Sequence, residues 1–277
     1  MQKGDATVYL FGSLHILPMS IEWTTPEIKT AMESSGVFFF EAPADRDAQL
    51  LARDFILYNG VLPRGATLRQ VLTHREYLIY STILIRAGLK PELFERYRPW
   101  LASLVLGLAY LYPDKLAGLV GADDALIDYA QMNGKEVHYL ESVEQQMSLL
   151  TRPNEASQIR ELKRLIQSLP QTRVQSELLL DLWRTGDVDR LGMTISSYFR
   201  GYPGMEDALV GNRNRIWLSQ IESLLGSGET TAMVTVGAAH MAGNKGLLAL
   251  LCAEGYDVER VSAPGGTGSK VCAARTG

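Results

Sequence analysis

Two Gly-x-x-His elements stand near opposite ends of the chain, and each directly follows a short apolar run that reads as a β-strand. The first is Val8-Tyr9-Leu10-Phe11-Gly12-Ser13-Leu14-His15; the second is Ala232-Met233-Val234-Thr235-Val236-Gly237-Ala238-Ala239-His240. Neutral imidazole is a leading ligand of catalytic transition metals. A glycine turn just past a strand delivers it to the carboxyl edge of a sheet, where α/β proteins collect ligands. Two acids occupy the same kind of position: Glu41 after Val37-Phe38-Phe39-Phe40, and Glu141 after residues 136–140. If these strands are parallel, His15, Glu41, Glu141 and His240 gather on one edge. His15, His240 and Glu41 would then form a three-ligand set for a divalent metal, with positions open for water. Either histidine alone would read as a hydrogen-bonded structural residue; their shared context points to the metal.

Glu41 follows three phenylalanines, where an unpaired carboxylate is costly to bury. It therefore requires a cation, a hydrogen-bond network or a metal, and its role as ligand or general base stays open. Glu141 is the second candidate base, although its place before the capping-box sequence Ser142-Val-Glu-Gln145 also suits a solvated acid. Residues 208–225 read as a helix leading through a short turn into strand 230–236, so its amino end returns to the edge that carries His240. Arg213 and Asn214 lie there. Asn214 shares an apolar stripe with Leu218, Ile221 and Leu225 and faces inward, where backbone groups alone could satisfy it. Arg213 could stabilise a developing oxyanion. His74, in a charged helical stretch, and His138, inside a strand, follow no glycine turn and read as structural or solvated. No Walker loop, Gly-x-Ser-x-Gly elbow or His-Glu-x-x-His helix is present.

The elements that must position these residues follow from the pattern. Strand 7–11, a helix opened by Thr25-Pro26-Glu27, and strand 37–40 make a β-α-β unit with parallel strands. Residues 45–120 are helical in pattern and read as an insertion. Gly121-Ala-Asp-Asp opens a helix that ends near Gly134, and a strand follows. Residues 143–226 are again mostly helical. The last unit is strand 230–236, helix 244–254 and strand 256–261, before a Gly/Ala/Ser-rich tail from Ser262 to Gly277 that reads as mobile.

With 46% hydrophobic and 21% charged residues the chain has the composition of a soluble globular protein. A net charge of −4 and the absence of a Lys/Arg block argue against nucleic acid as a partner. No segment reaches the roughly 18 apolar residues of a membrane span, and residues 100–112 read as a buried helix. No signal peptide is evident. Localisation is periplasmic or extracellular if an export signal has been trimmed, otherwise cytoplasmic. Cys252 and Cys272 read as two free thiols, with pairing expected only in an oxidising compartment.

Together the motifs resemble the TraB/GumN family, which includes the Tiki metalloproteases. The matching stretches are residues 8–18, Phe38-Phe-Phe-Glu41, Tyr97-Arg-Pro-Trp100, Gly121-Ala-Asp123, Leu140-Glu-Ser-Val-Glu-Gln145, Arg213-Asn214, residues 236–246 and Gly255-Tyr-Asp-Val258, in order over nearly the whole chain. The resemblance departs at the start, where family members carry leader sequence and an earlier strand segment. It implies an α/β fold with a mixed, largely parallel sheet built from two related halves, each delivering a Gly-x-x-His, and a large helical insertion, all in one domain. It also implies proteolysis dependent on a divalent ion, manganese, cobalt or zinc, held by His15, His240 and Glu41, with Arg213, Asn214 and Glu141 at further family positions. The expected activity is therefore metal-dependent hydrolysis of a peptide or protein substrate. The rival readings are a metal-dependent hydrolase of small esters or lactones, and a non-enzymatic binder of peptide or haem.

Overall fold

The carboxyl-edge argument requires parallel strands, and the main sheet supplies them. The computed structural model describes residues 2–3, 6–18, 20–113, 119–199, 204–226, 230–261 and 270–272. Its strands are β1 (Gln2–Lys3), β2 (Ala6–Ser13), β3 (Leu17–Pro18), β4 (Val37–Phe40), β5 (Leu119–Val120), β6 (Glu136–Tyr139), β7 (Thr231–Gly237), β8 (Val258–Glu259) and β9 (Lys270–Cys272). Five of them form one sheet in the order β1-β2-β7-β4-β6. β2, β7, β4 and β6 run parallel, and β1 is antiparallel to β2. The sheet is thus mixed and largely parallel, as expected of this α/β chain. The last long strand in sequence, β7, lies between β2 and β4. Its residues from Ala232 to Gly237 are all buried, the continuous apolar pattern of a strand covered on both faces.

Local signals set the helices that frame the sheet. Thr25 caps α1 (Pro26–Ser34) by accepting the Ile28 N–H at 3.4 Å, and Pro26 takes the first helical position. α5 (Ala122–Met132) ends before Gly134, whose φ of 63° turns the chain toward β6.

The chain divides into two compact units, residues 1–43, 120–141 and 179–277 in one, residues 44–119 and 142–178 in the other. The first holds the main sheet. Val8, Val234 and Val236 pack there against Trp217, Ile221 and Leu225 of α10 (Asn212–Gly226) and Leu247 and Leu251 of α11 (Leu247–Ala253). A smaller cluster joins Ala238 to Leu182 and Trp183 of α8 (Leu169–Thr185) and Leu191 of α9 (Val188–Phe199). The second unit is helical: α2 (Arg46–Asn59), α3 (His74–Arg86), α4 (Pro99–Leu111), α6 (Val143–Thr151), α7 (Glu155–Gln167) and the start of α8. Its core is built on Leu72, Tyr80, Leu84, Ala102, Leu106 and Leu162. The apolar run at 100–112 is α4, with Leu101, Ala102, Leu106 and Ala109 buried. Among the described residues no helix is long and apolar enough to cross a membrane.

Four expectations need correction at the carboxyl end. Cys252 and Cys272 are not free thiols but form a disulfide, with Cα atoms 5.8 Å apart. Cys252 lies on α11 and Cys272 on β9, and the antiparallel ribbon β8–β9 brings Cys272 opposite Val258, packed into the same core. A separation of 20 residues with no metal-ligand spacing carried no sign of this fold-back. The strand expected at 256–261 shrinks to Val258–Glu259 and joins that ribbon instead of the main sheet, while the helix expected at 244–254 begins at Leu247. Of the tail expected to be mobile, residues 270–272 form β9, and residues 262–269 and 273–277 lie outside the described residues.

Candidate functional site

All four edge residues come together where the parallel strands end. His15 lies two residues beyond β2, Glu41 one beyond β4, Glu141 two beyond β6 and His240 three beyond β7. Glu141 N–H donates to the Glu41 carbonyl at 2.8 Å, so the β4–β6 ladder continues to the acids themselves. Both motif glycines are places of close approach. A Cβ on Gly237 would stand 3.0 Å from His15 Nε2 and 3.2 Å from Glu41 Oε1, inside the site. A Cβ on Gly12 would stand 3.1 Å from the Ala238 Cα and 3.2 Å from Met241 Cγ. The first glycine makes room for the functional groups, and the second lets the turn that carries His240 pack on β2.

Arg213 occupies the centre. Its Nε and Nη2 donate to the two oxygens of Glu141 at 3.0 and 2.6 Å, and Nη2 also donates to Glu41 Oε2 at 2.6 Å. Its Nη1 donates to the Leu209 carbonyl at 3.0 Å and lies 2.8 Å from His240 Nε2. The guanidinium stands over the Trp217 ring, 4.5 Å from its centroid, and the His240 ring meets the same indole at 4.6 Å. Arg213, Asn214 and Trp217 share one face of α10 because residues three and four apart are neighbours on a helix. A π-helical turn, Asp207–Gly211, leads into that helix and brings the Leu209 carbonyl to Arg213.

The hydrogen bonds assign the tautomer of His240. Asn214 Nδ2 donates to the carbonyls of His240 and Lys245 at 3.0 and 2.8 Å, which leaves Oδ1 as the acceptor. His240 Nδ1, 2.7 Å from that oxygen, must therefore carry the proton, and Nε2 presents its lone pair. His15 is held in the same way, with Nδ1 donating to Asp123 Oδ2 at 3.0 Å. The Nε2 atoms of His15 and His240 both face Glu41 Oε1, at 4.0 and 3.8 Å.

Burial and charge set the protonation states. Burial pushes His240 down to about 4. The hydrogen bond to Asp123 lifts His15 to about 9, with the charges of Asp123 and Glu41 adding to it. Burial alone would raise the Glu41 carboxyl. The positive charge of Arg213 and of protonated His15, with the Gly237 N–H donated to Oε1 at 2.7 Å, outweighs it and holds the group below the usual carboxylate range.

The donor set fits a divalent ion in kind and in orientation: two imidazoles aimed by their Nδ1 partners, and an ionised carboxylate between them. It is not closed around one. Ligands of a four- to six-coordinate ion with bonds near 2.1 Å lie about 3.0–3.4 Å apart, so both histidine–Glu41 distances exceed that by roughly half an ångström. Among the described residues no group of three His, Cys, Asp or Glu side chains stands at ligand spacing. An ion here would take the His240 lone pair from Arg213 Nη1 and compete with the proton on His15.

Glu141 is no solvated acid, for its side chain is 8% exposed and clamped on Arg213. Asn214 is fully buried and serves both a backbone and a histidine role. His74 is exposed at the start of α3; His138 is exposed, 2.6 Å from Glu136 and stacked on Phe39. Two contributors were not singled out by sequence reasoning. Asp123 sits in the Gly-Ala-Asp motif that opens α5, where its carboxylate also suits the helix amino terminus. Trp217 was detectable as the position four beyond Arg213 and three beyond Asn214.

Fold and cluster together describe an α/β protein with a histidine–carboxylate–arginine site at the carboxyl edge of a parallel sheet. Over residues 1–260 the chain matches the model of the TraB/PrgY/gumN family, and it belongs to that family. No curated protein and no solved structure matches the chain.

Proposed function

We propose that this protein is a divalent-metal-dependent hydrolase that cleaves a peptide bond, with the ion held by His15, His240 and Glu41. The observation that carries the reading is the convergence of two imidazole Nε2 atoms on one oxygen of Glu41, each ring oriented through Nδ1 by a polar partner. Imidazoles with a fixed Nδ1 partner are the usual arrangement of histidine ligands. The ion, when bound, supplies Lewis acidity, which makes a water acidic and a carbonyl electrophilic.

The remaining chemistry belongs to the side chains. Glu41 keeps its charge under burial and offers Oε1 toward both histidines. Arg213 Nη1 lies within 3 Å of the His240 ring nitrogen, and the N–H released once an ion takes that lone pair would be free to donate to an oxyanion developing on a tetrahedral carbon. Glu141 is removed from the role of base by its two hydrogen bonds to Arg213 and acts as the positioning residue for that guanidinium. Asn214 and Asp123 hold the two imidazoles in register.

Elemental analysis of protein purified without chelator, paired with hydrolysis of a peptide library, tests the reading. Manganese, cobalt or zinc should restore turnover after chelation. His15→Ala and His240→Ala should each abolish metal-dependent turnover, while His74→Ala stays near wild type. Turnover that survives both histidine substitutions, or folded metal-loaded protein that cleaves an ester panel and no peptide, would overturn the proposal.

A further inference from the structure

The turn that delivers Arg213 is wider than an α-helical one. In Asp207–Gly211 the Asn212 N–H donates to the Asp207 carbonyl, five residues back. Wide turns of this kind are rare inside helices, so contacts from elsewhere must hold this one. Closing it to an α-helical turn would shift the register by about one residue, a rotation of about 100° for everything beyond it. Arg213 and Asn214 could not then both keep their partners.

Lys245, in the loop between His240 and α11, fastens both ends of this turn. At the entry its Nζ lies 2.9 Å from Asp207 Oδ2 and 3.3 Å from Glu206 Oε2. At the exit its carbonyl accepts from Asn214 Nδ2 at 2.8 Å. Gly211 leaves the room for this: a Cβ there would stand 2.9 Å from Asp207 Oδ1 and 3.3 Å from Lys245 Cδ. Ser196 of α9 donates to the other oxygen of Glu206 at 3.0 Å, which holds that acid in place. The fastened residues bracket Leu209, whose carbonyl accepts from Arg213 Nη1. Arg215 Nη2 comes only to 3.8 Å from Asp207 Oδ1. It belongs to the helix beyond the turn and cannot tie the turn to the loop that follows His240. We propose that Lys245 is a positioning residue for Arg213: it clamps the wide turn and so fixes the guanidinium against Glu141, Glu41 and His240. The clamp stands on these contacts alone, and its consequence for rate rests on the hydrolase reading.

The test reads Arg213 directly. Its Nε–H, donated to Glu141 at 3.0 Å, should give a slowly exchanging signal in ¹H–¹⁵N spectra of metal-free, arginine-labelled protein, assigned by its loss in Arg213→Lys. Lys245→Met keeps the apolar stem and removes the charge. It should speed exchange of that proton at least about ten-fold, whereas Lys245→Arg should stay within about three-fold of wild type. Glu206→Gln combined with Asp207→Asn removes the other half of the clamp and should reproduce the effect of Lys245→Met. Joining all three changes should then add nothing further. With manganese and a peptide substrate, Lys245→Met should lower kcat about ten-fold, with KM within about two-fold and metal content unchanged. A folded Lys245→Met that loses stability while Arg213 exchange stays at the wild-type rate would overturn the inference. So would a Lys245→Arg variant as impaired as Lys245→Met, or additive effects of the lysine and the two acids. The expected changes in exchange, in a protein that no metal activates, would uphold the clamp and overturn the hydrolase reading alone.

Discussion

Asn214→Ala is the most direct probe of how the site is oriented. The amide makes three hydrogen bonds, to the carbonyls of His240 and Lys245 and from His240 Nδ1, and it is fully buried. At about 1 kcal/mol for each bond, and with two carbonyls and one ring N–H left short of partners, the variant should lose roughly 3–5 kcal/mol of stability in urea denaturation. Stability alone would not distinguish a structural amide from one that prepares a ligand. The tautomer does. Long-range ¹H–¹⁵N correlation spectra of histidine-labelled wild type should show His240 protonated on Nδ1 with a bare Nε2. Asn214→Ala should populate both tautomers and lower metal affinity about 10–100-fold, the usual effect of removing a ligand's orienting partner. The affinity is measured by chelator competition at a temperature where the variant remains folded. A wild-type spectrum with the proton on Nε2, or a variant that binds metal as tightly as wild type, would refute the tautomer argument.

Arg213→Ala leaves the buried carboxylates of Glu41 and Glu141 without their shared cation. It should cost about 3–5 kcal/mol in urea denaturation, and on the proposed reaction it should lower kcat by ~10²–10³. Adding Glu141→Gln should recover part of the stability and none of the rate; full recovery of rate would mean that Arg213 serves only to neutralise the acids. Reduction of the Cys252–Cys272 bond, or Cys272→Ser, should lower stability by about 3 kcal/mol from the entropy of a 20-residue loop, and a melting temperature unmoved by reductant would contradict this. Glu76 closes the capping box of α3 by accepting the Thr73 N–H at 2.8 Å, and Lys163 of α7 lies 3.8 Å away. Burial opposes its charge, but those partners win and hold its carboxyl below the usual carboxylate range. Its contribution is therefore present above the pKa of the unfolded chain's carboxyl and lost as pH falls through the lowered folded pKa. Glu76→Gln keeps the capping acceptor and loses the charge that faces Lys163, so it should destabilise by about 0.2–1 kcal/mol at pH 7, with the difference from wild type vanishing in acid.

The sheet was legible because its signals are local. Three phenylalanines ended by a glutamate, a threonine-proline helix start and a glycine turn before each histidine define elements within a dozen residues. The strand order was not legible. Nothing in Thr231–Gly237 states that it lies between β2 and β4, since that follows from packing a two-sided apolar strand where both faces are covered. The disulfide was missed for the same reason. Pairing of Cys252 with Cys272 depends on a two-residue strand, Val258–Glu259, too short to be read as part of a ribbon.

At the site, sequence placed the residues on one edge but could not say which of them touch. Glu41 and Glu141 are equivalent as letters after a strand. They differ because the Glu41 Oε1 accepts the Gly237 N–H beside both histidines, while both oxygens of Glu141 are taken up by Arg213. The arrangement around the two histidines has a common logic that the letters carry only in part. Each ring arrives on a glycine turn from a parallel strand, and each Nδ1 is met by an acceptor toward the amino end of a following or returning helix, Asp123 in the first turn of α5 and Asn214 just past the π-helical turn that leads into α10. A side chain near the amino end of such a helix is well suited to the task. It projects from the part of the helix nearest the sheet's carboxyl edge, and its backbone is fixed by the helix that carries it. One acceptor is a carboxylate and the other an amide. The carboxylate raises the pKa of His15 at the exposed side, while burial keeps His240 neutral in the interior, so the two ends of the site are chemically unequal although they are built alike.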